Sequence, residues 1–379
     1  MCALRIGICG RGERAASPGA IVNPNWKAGF EIELLAPRGR SRLDVAERVA
    51  RRQGGTVRRF FHPQSEPSKV AGKPSFENLT PGFEALDGAE RPIARFVDDM
   101  TLQAGLDPNA APLPGWYRIV TDDRRLLRLI LRHCDATEPI DRALAPIAGL
   151  FGTAPDVHPS GMVKVTDDRG ASVAIAAPLP GERERTCEIV TPPLADAQEA
   201  ALELLLGEAR AAGCTLPREG ATHIHFDAAP LTSARAVVNL VNALARHGEA
   251  LKRLVGTNPH CIRLGRWPDR LLALVASPGF AALDWPAARQ ALADVGLTKY
   301  CDFNLLNLAN ADPAKHTFEV RVLPASLDAA PIIAAASLFA ALLHWCAAPA
   351  AGIRRIPDDP QAMIAALPLS PQAQAIWNR

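Results

Sequence analysis

Four short strings carry residue types that can do chemistry at fixed spacing: Gly29-Phe30-Glu31-Ile32-Glu33-Leu34-Leu35, Cys187-Glu188-Ile189-Val190-Thr191-Pro192-Pro193, Thr222-His223-Ile224-His225-Phe226-Asp227 and Thr317-Phe318-Glu319-Val320-Arg321-Val322. In each, Glu, His or Arg alternates with apolar residues. Side chains of a strand point to opposite faces in turn, so Glu31 and Glu33 share one face, roughly 7 Å apart along the chain, while Phe30, Ile32 and Leu34 share the other. Taken singly, each string has a plainer reading. Glu-x-Glu fits a solvated strand, and Arg321 beside Glu319 fits an ion pair worth little if exposed. His223 and His225 in alternation, followed by Asp227, point instead to metal or phosphate ligation.

Four such strings in one chain favour a shared polar face with four carboxylates, two imidazoles and a guanidinium. Clustered carboxylates repel one another and call for cations. Carboxylate oxygens with an imidazole suit Mg²⁺ or Mn²⁺, which keep waters and bridge to phosphate oxygens, better than a closed zinc site. Arg321 and His225 then serve the anionic side, and metal with arginine equips a site for a transferring phosphoryl group.

The elements that must position these groups follow from the pattern between them. A helix is predicted over Ser41–Gln53 from its apolar spacing, and others over Leu126–His133, Thr232–Leu254, Asp269–Val275 and Trp285–Val295. His62 to Lys69 reads as a polar loop broken by Pro63 and Pro67, either a cover for a site or a plain surface connection, and Pro74 to Pro114 reads as irregular, with short strands and loops. The Glu188 strand is stopped by the diproline, after which Asp196 with Glu199 suggests a capping box and Gly213 a helix stop. Val-Thr-Asp-Asp-Arg occurs at 120–124 and 165–169, where Asp167 and Asp168 read as turn residues. Lys299 to Leu308 forms a loop and short hairpin with His316 to Pro324. Ala329 to Ile353 lacks Asp, Glu, Lys and Arg, but its strongest apolar run, Ile332 to Leu343, is short of the roughly 20 residues a membrane crossing needs, so a buried packing helix is expected.

Of the 379 residues 48% are apolar and the formal net charge is +2, which supports a substantial core and no long basic stripe for nucleic acid or an anionic membrane. Eight cysteines without a CxxC spacing fit reduced thiols and a cytoplasmic setting. Residues 1–27 read as a poorly ordered extension, 28–348 as a catalytic domain and 349–379 as a tail with short helices. Oligomeric state is left open.

The ordered set GFEIELLAP, CEIVTPPL, THIHFD and KYCDFNLLNL…HTFEVRVLP, spanning about residues 29 to 345, resembles the amidoligase family of the carboxylate-amine ligase superfamily, whose better-known members are glutamine synthetase and glutamate-cysteine ligase. The resemblance implies an α+β fold with a curved, mainly antiparallel sheet around the active site and helices on its outer face. It implies ATP-dependent amide formation with Mg²⁺ or Mn²⁺, through an acyl phosphate. Residue by residue, it implies that Glu31 and Glu33 hold separate cations, that Glu188 serves a metal or the amine, that His223 reaches metal and His225 the nucleotide phosphates, and that Glu319 binds metal while Arg321 stabilises phosphoryl charge. The partners it implies are a small-molecule or peptide carboxylate and an amine, whose identities do not carry over because a recognisable substrate loop is missing. His62, Lys69, Lys299 and Asn304 are candidate substrate contacts, chosen as polar residues in loops beside the four strings. Two other readings compete: a metal-dependent hydrolase of the amidohydrolase kind, which also begins its site with His-x-His but needs further strand-end histidines, and a non-catalytic nucleotide- or metabolite-binding protein of the same fold.

Overall fold

The computed structural model describes residues 26–67, 75–121, 123–261, 263–310, 315–348, 353 and 355–377. Most of residues 1–27, together with Lys69, therefore lies outside the described residues. Twelve strands form one open sheet: β1 Ala28–Leu35, β2 Val57–Pro67, β3 Ser75–Leu86, β4 Pro92–Val97, β5 Tyr117–Thr121, β6 Asp156–Val157, β7 Val163–Thr166, β8 Ser172–Pro178, β9 Thr186–Val190, β10 Ala221–Asp227, β11 Phe303–Asn304 and β12 Thr317–Pro324. Their order across the sheet is β11-β12-β10-β1-β9-β4-β3-β5-β8-β7-β6, with β2 on β3. Every named pairing is antiparallel. With the helices, this makes an α+β protein whose sheet does not close into a barrel.

Alternation decides the two faces. Phe30, Ile32 and Leu34 of β1, Cys187 and Ile189 of β9, Ile224 and Phe226 of β10, and Phe318, Val320 and Val322 of β12 are all buried in one core. The helices Arg42–Arg52, Gln198–Ala211, Ala234–Val255 and Ala329–Ala347 cover that apolar back. Each fully buried large aliphatic or aromatic side chain contributes about 1.5–3 kcal/mol, so this packing holds the polar front in place. A second core gathers Phe61, Leu79, Tyr117, Ile119, Val163 and Ala176 with the helices Arg124–His133 and Ala145–Leu150. β3 joins the two, because Leu79 lies in the second core and Phe83 and Ala85 in the first.

Local chemistry sets the helix ends. Ser233 caps Ala234–Val255 through its side chain, and Gly256, at φ 70°, closes it in the left-handed region. Ser41 and Asp44 form a capping box at Arg42–Arg52. One helix among the described residues, Ala329–Ala347, is long and apolar enough to cross a membrane, and 78% of its most apolar window is buried inside the protein. The six described cysteines are free thiols.

Three sequence expectations need correction. His62 to Pro67 is strand rather than loop: β2 pairs with β3 on one side only, so the N–H that Pro63 lacks falls where an edge strand does not need it. The start of the segment expected to be irregular is a 12-residue strand, β3, whose Pro81 falls between the stretch paired to β5 (Glu77–Leu79) and that paired to β4 (from Phe83). The expected Asp196–Glu199 capping box is absent. Ala197 caps that helix at φ 53°, and the buried Gln198 amide fixes the entry by donating to the carbonyls of Trp26 (2.9 Å) and Leu194 (3.0 Å).

Candidate active site

The register of four neighbouring strands assembles the site. Glu31 of β1 stands opposite His223 of β10, Glu33 of β1 opposite Glu188 of β9, and His225 of β10 opposite Glu319 of β12. A bulge then sets two residues of β12, Arg321 and Val322, against one of β10, His223. It is pinned by the Arg321 N–H donating to Asp302 O at 3.0 Å. All seven polar groups of the four strings thus meet on the sheet's polar face.

Distances are short. His223 Nδ1 is 3.3 Å from Glu31 Oε2 and 3.7 Å from Glu319 Oε1, and its Nε2 is 3.7 Å from Glu33 Oε1. His225 Nε2 is 3.2 Å from Glu31 Oε1 and 3.7 Å from Glu319 Oε1, while its Nδ1 meets Thr317 Oγ1 at 3.3 Å. Arg321 Nη1 donates to Glu319 Oε1 at 2.6 Å, and the Ala221 N–H donates to Glu33 Oε2 at 2.8 Å.

The field divides the carboxylates. Burial opposes ionisation of Glu31, yet His225 and His223 hold it well below the ordinary carboxylate range, and His225, Arg321 and His223 likewise depress Glu319 against its burial. Glu33 is raised by burial and by Asp99; Glu188 is raised by burial and by Glu31, Asp99 and Glu33. His225, although burial disfavours its charge, is pushed up to about 9 by Glu31 and Glu319.

Asp99 is the residue the sequence reading missed. It follows β4, which pairs with β9 through Val97 opposite Glu188, and together with Glu33 and Glu188 it completes a set of oxygens all within 4.8 Å of one another. Its signal was an acidic pair, Asp98-Asp99, directly after the apolar Phe96-Val97, the same strand-end pattern as elsewhere. The pair divides its work: Asp98 is buried on Arg183 and Thr186, and Asp99 accepts the Thr101 N–H at 2.7 Å. Two further sets meet the same distance criterion, Glu31 with Glu188 and His223, and Glu31 with His225 and Glu319.

Two cavities meet over this row. One, of about 760 Å³, is lined by Glu33, Glu188, Asp99 and His223, and the other, of about 880 Å³, by His225, Glu319, Asn304 and Thr317. Glu31, Arg95, Lys299, Lys315 and Arg321 line both. Arg95 and Lys315 gave no sequence signal, being cations among many. His62 lines the first cavity, where burial pushes its imidazole down to about 4. Lys299 reaches both cavities. The Asn304 amide is engaged at both ends: Nδ2 donates to Glu319 Oε2 at 2.7 Å and Oδ1 accepts the Leu306 N–H at 2.8 Å, so it orients Glu319. Of the four later histidines that the hydrolase reading would draw on, His316 lines the second cavity, His260 is exposed, and His247 and His344 point elsewhere. His247 Nε2 lies 2.8 Å from Pro357 O, and His344 packs on Trp26.

A family model described as "Putative amidoligase enzyme" matches residues 24–343. The chain belongs to the amidoligase family. The match takes in all four strings and Asp99, so this amidoligase carries its convergent groups inside the span that defines a family of ligases. No curated protein matches the chain.

Proposed function

We propose that this amidoligase is an ATP-dependent carbon–nitrogen ligase joining a carboxylate to an amine through an acyl phosphate. The observation that carries the reading is the cross-strand register, which brings Glu31, Glu33, Glu188, His223, His225, Glu319 and Arg321 onto one face. The donor chemistry fits divalent cations. Glu31, Glu188 and His223 would hold one and Glu31, His225 and Glu319 another, and the buried His225 Nε2 lacks hydrogen-bond geometry to any group, which suits a ligand atom. Mg²⁺ or Mn²⁺ bound there would supply positive charge to phosphate oxygens.

The larger cavity, where Lys27, Arg289 and Lys315 join Arg321 and Asn307, suits the nucleotide, and the smaller one suits the acid and amine. The substrate carboxylate attacks the γ-phosphorus of ATP and ADP leaves; the amine then attacks the acyl carbon and inorganic phosphate leaves. A carboxylate at neutral pH is a poor electrophile, which is why activation comes first. Arg321, lining both cavities, faces the charge on the transferring group, while His225 acts through the cation it would help to hold. Glu188, where it does not ligate the first cation, stands with Glu33 and Asp99 in position to take the amine's proton. Asn304 and the Ala221 N–H hold Glu319 and Glu33 in orientation.

The test is incubation with Mg²⁺, ATP and pools of acids and amines. Acid-dependent release of ADP and phosphate is expected, whereas AMP and pyrophosphate would overturn the acyl-phosphate step. Full ligation by Glu319→Gln with unaltered metal affinity would remove β12 from the site.

A further inference from the structure

Part of the wall of the 760 Å³ cavity comes from the second core. Arg124, Leu127, Arg128 and Leu131 of the helix Arg124–His133 all line it, at the i, i+3, i+4, i+7 spacing of one helical face. Among the described residues the one local carboxylate, the N-cap Asp123, is engaged by Arg125 and reaches Arg128 only at longer range. Like charges at i, i+4 repel, and cations in a helix's first turn oppose its dipole; that turn holds no acid. Glu77 answers Arg124 at 2.7 Å, while Arg128 has no carboxylate within ion-pair distance among the described residues. The same cavity is acidic along the sheet, where Glu33, Asp99 and Glu188 converge. Cations therefore stand on both sides: Arg95 and Arg321 lie among the carboxylates of the strands, whereas the helix wall offers Arg124 and Arg128, with Leu131, 39% exposed, beside them and no carboxylate of its own.

Building on the ligation reading above, we infer that the amine substrate is a zwitterion, an amino acid or peptide that presents its amine to Glu33, Asp99 and Glu188 and a distal carboxylate to Arg128 and Arg124. Its methylenes lie on Leu131. A dicarboxylate in the same place would set like charge against the acidic set. Arg128 then acts in specificity: it holds the end of the substrate remote from the reacting amine, and the binding energy gained there locates that amine for attack on the acyl carbon.

The experiment is calorimetric titration, in Mg²⁺ and a non-hydrolysable ATP analogue, of ω-amino acids of increasing length, the matching n-alkylamines and the matching dicarboxylates, against the native protein, Arg128→Glu and Arg128→Gln. Circular dichroism and melting temperature verify that each variant is folded. Amino acids of one chain-length range are expected to bind at least about tenfold tighter than the alkylamines, the strength of a charge-assisted pair, with that margin lost in R128E and reduced in R128Q. Equal binding of alkylamines, binding of dicarboxylates in preference to amino acids, an affinity indifferent to Arg128, or no binding by any of the three series would each overturn the inference. Because binding is read without turnover, failure of the ligation reading shows separately, as absence of acid-dependent ADP release.

Discussion

At the scale of single residues, the site is a matter of which carboxylates keep their protons. Glu33 and Glu188 are raised by burial and by their acidic neighbours, whereas Glu31 and Glu319 are depressed by the imidazoles and Arg321 against their burial. A carboxyl whose folded pKa exceeds its unfolded value of about 4.3 stabilises the fold below that pH and loses the contribution as pH climbs through the raised value. In the proposed function a divalent cation on Glu31, Glu188 and His223 would take the place of the Glu188 proton. The gain in melting temperature on adding Mg²⁺ or Mn²⁺ to the amidoligase should therefore be larger at pH 8 than at pH 5.5, with protons released on binding, as calorimetry in buffers of different ionisation enthalpy will read. A gain independent of pH would contradict the protonation of Glu188. Asn304→Ala removes the 2.7 Å bond to Glu319 Oε2, and Mn²⁺ affinity, followed by electron paramagnetic resonance, should fall about tenfold or more. Unchanged affinity would leave Asn304 without an orienting role.

At the scale of elements, what was legible followed from local alternation. The faces of β1, β9, β10 and β12 could be read because a period of two is written in each string, and the helices between them because apolar spacing is local too. β2 and β3 were hidden because prolines forbid a strand only where the missing N–H has a partner waiting, and whether Pro63 lies on an edge or Pro81 in a gap depends on strands far off in sequence. Asp99 was hidden likewise, since its place beside Glu188 follows from β4 pairing with β9. Two substitutions test these joints. A Cβ on Gly55 would lie 1.9 Å from Leu86 O, a backbone atom, so Gly55→Ala must displace the start of the β2–β3 hairpin and should cost about 1–3 kcal/mol or more in chemical denaturation. Asp98→Asn strips the buried charge facing Arg183 and Thr186 and should cost about 3–5 kcal/mol; a cost under about 1 kcal/mol would show that this pair does not hold the loop carrying Asp99.

At the scale of the whole molecule, one open sheet serves two cores, and the smaller cavity takes its walls from both: the acidic row from the first and the Arg124–His133 helix from the second. No single string announces this, because the division into cores depends on how β3 is shared. Glu31, finally, is counted in two candidate ligand sets, one with Glu188 and His223 and one with His225 and Glu319. Two ions leaning on the same carboxylate cannot load as strangers: the first arrival fixes that side chain's rotamer and spends part of its charge, so the second sees a different host. Occupancy should then follow a curve that two independent, identical seats cannot reproduce.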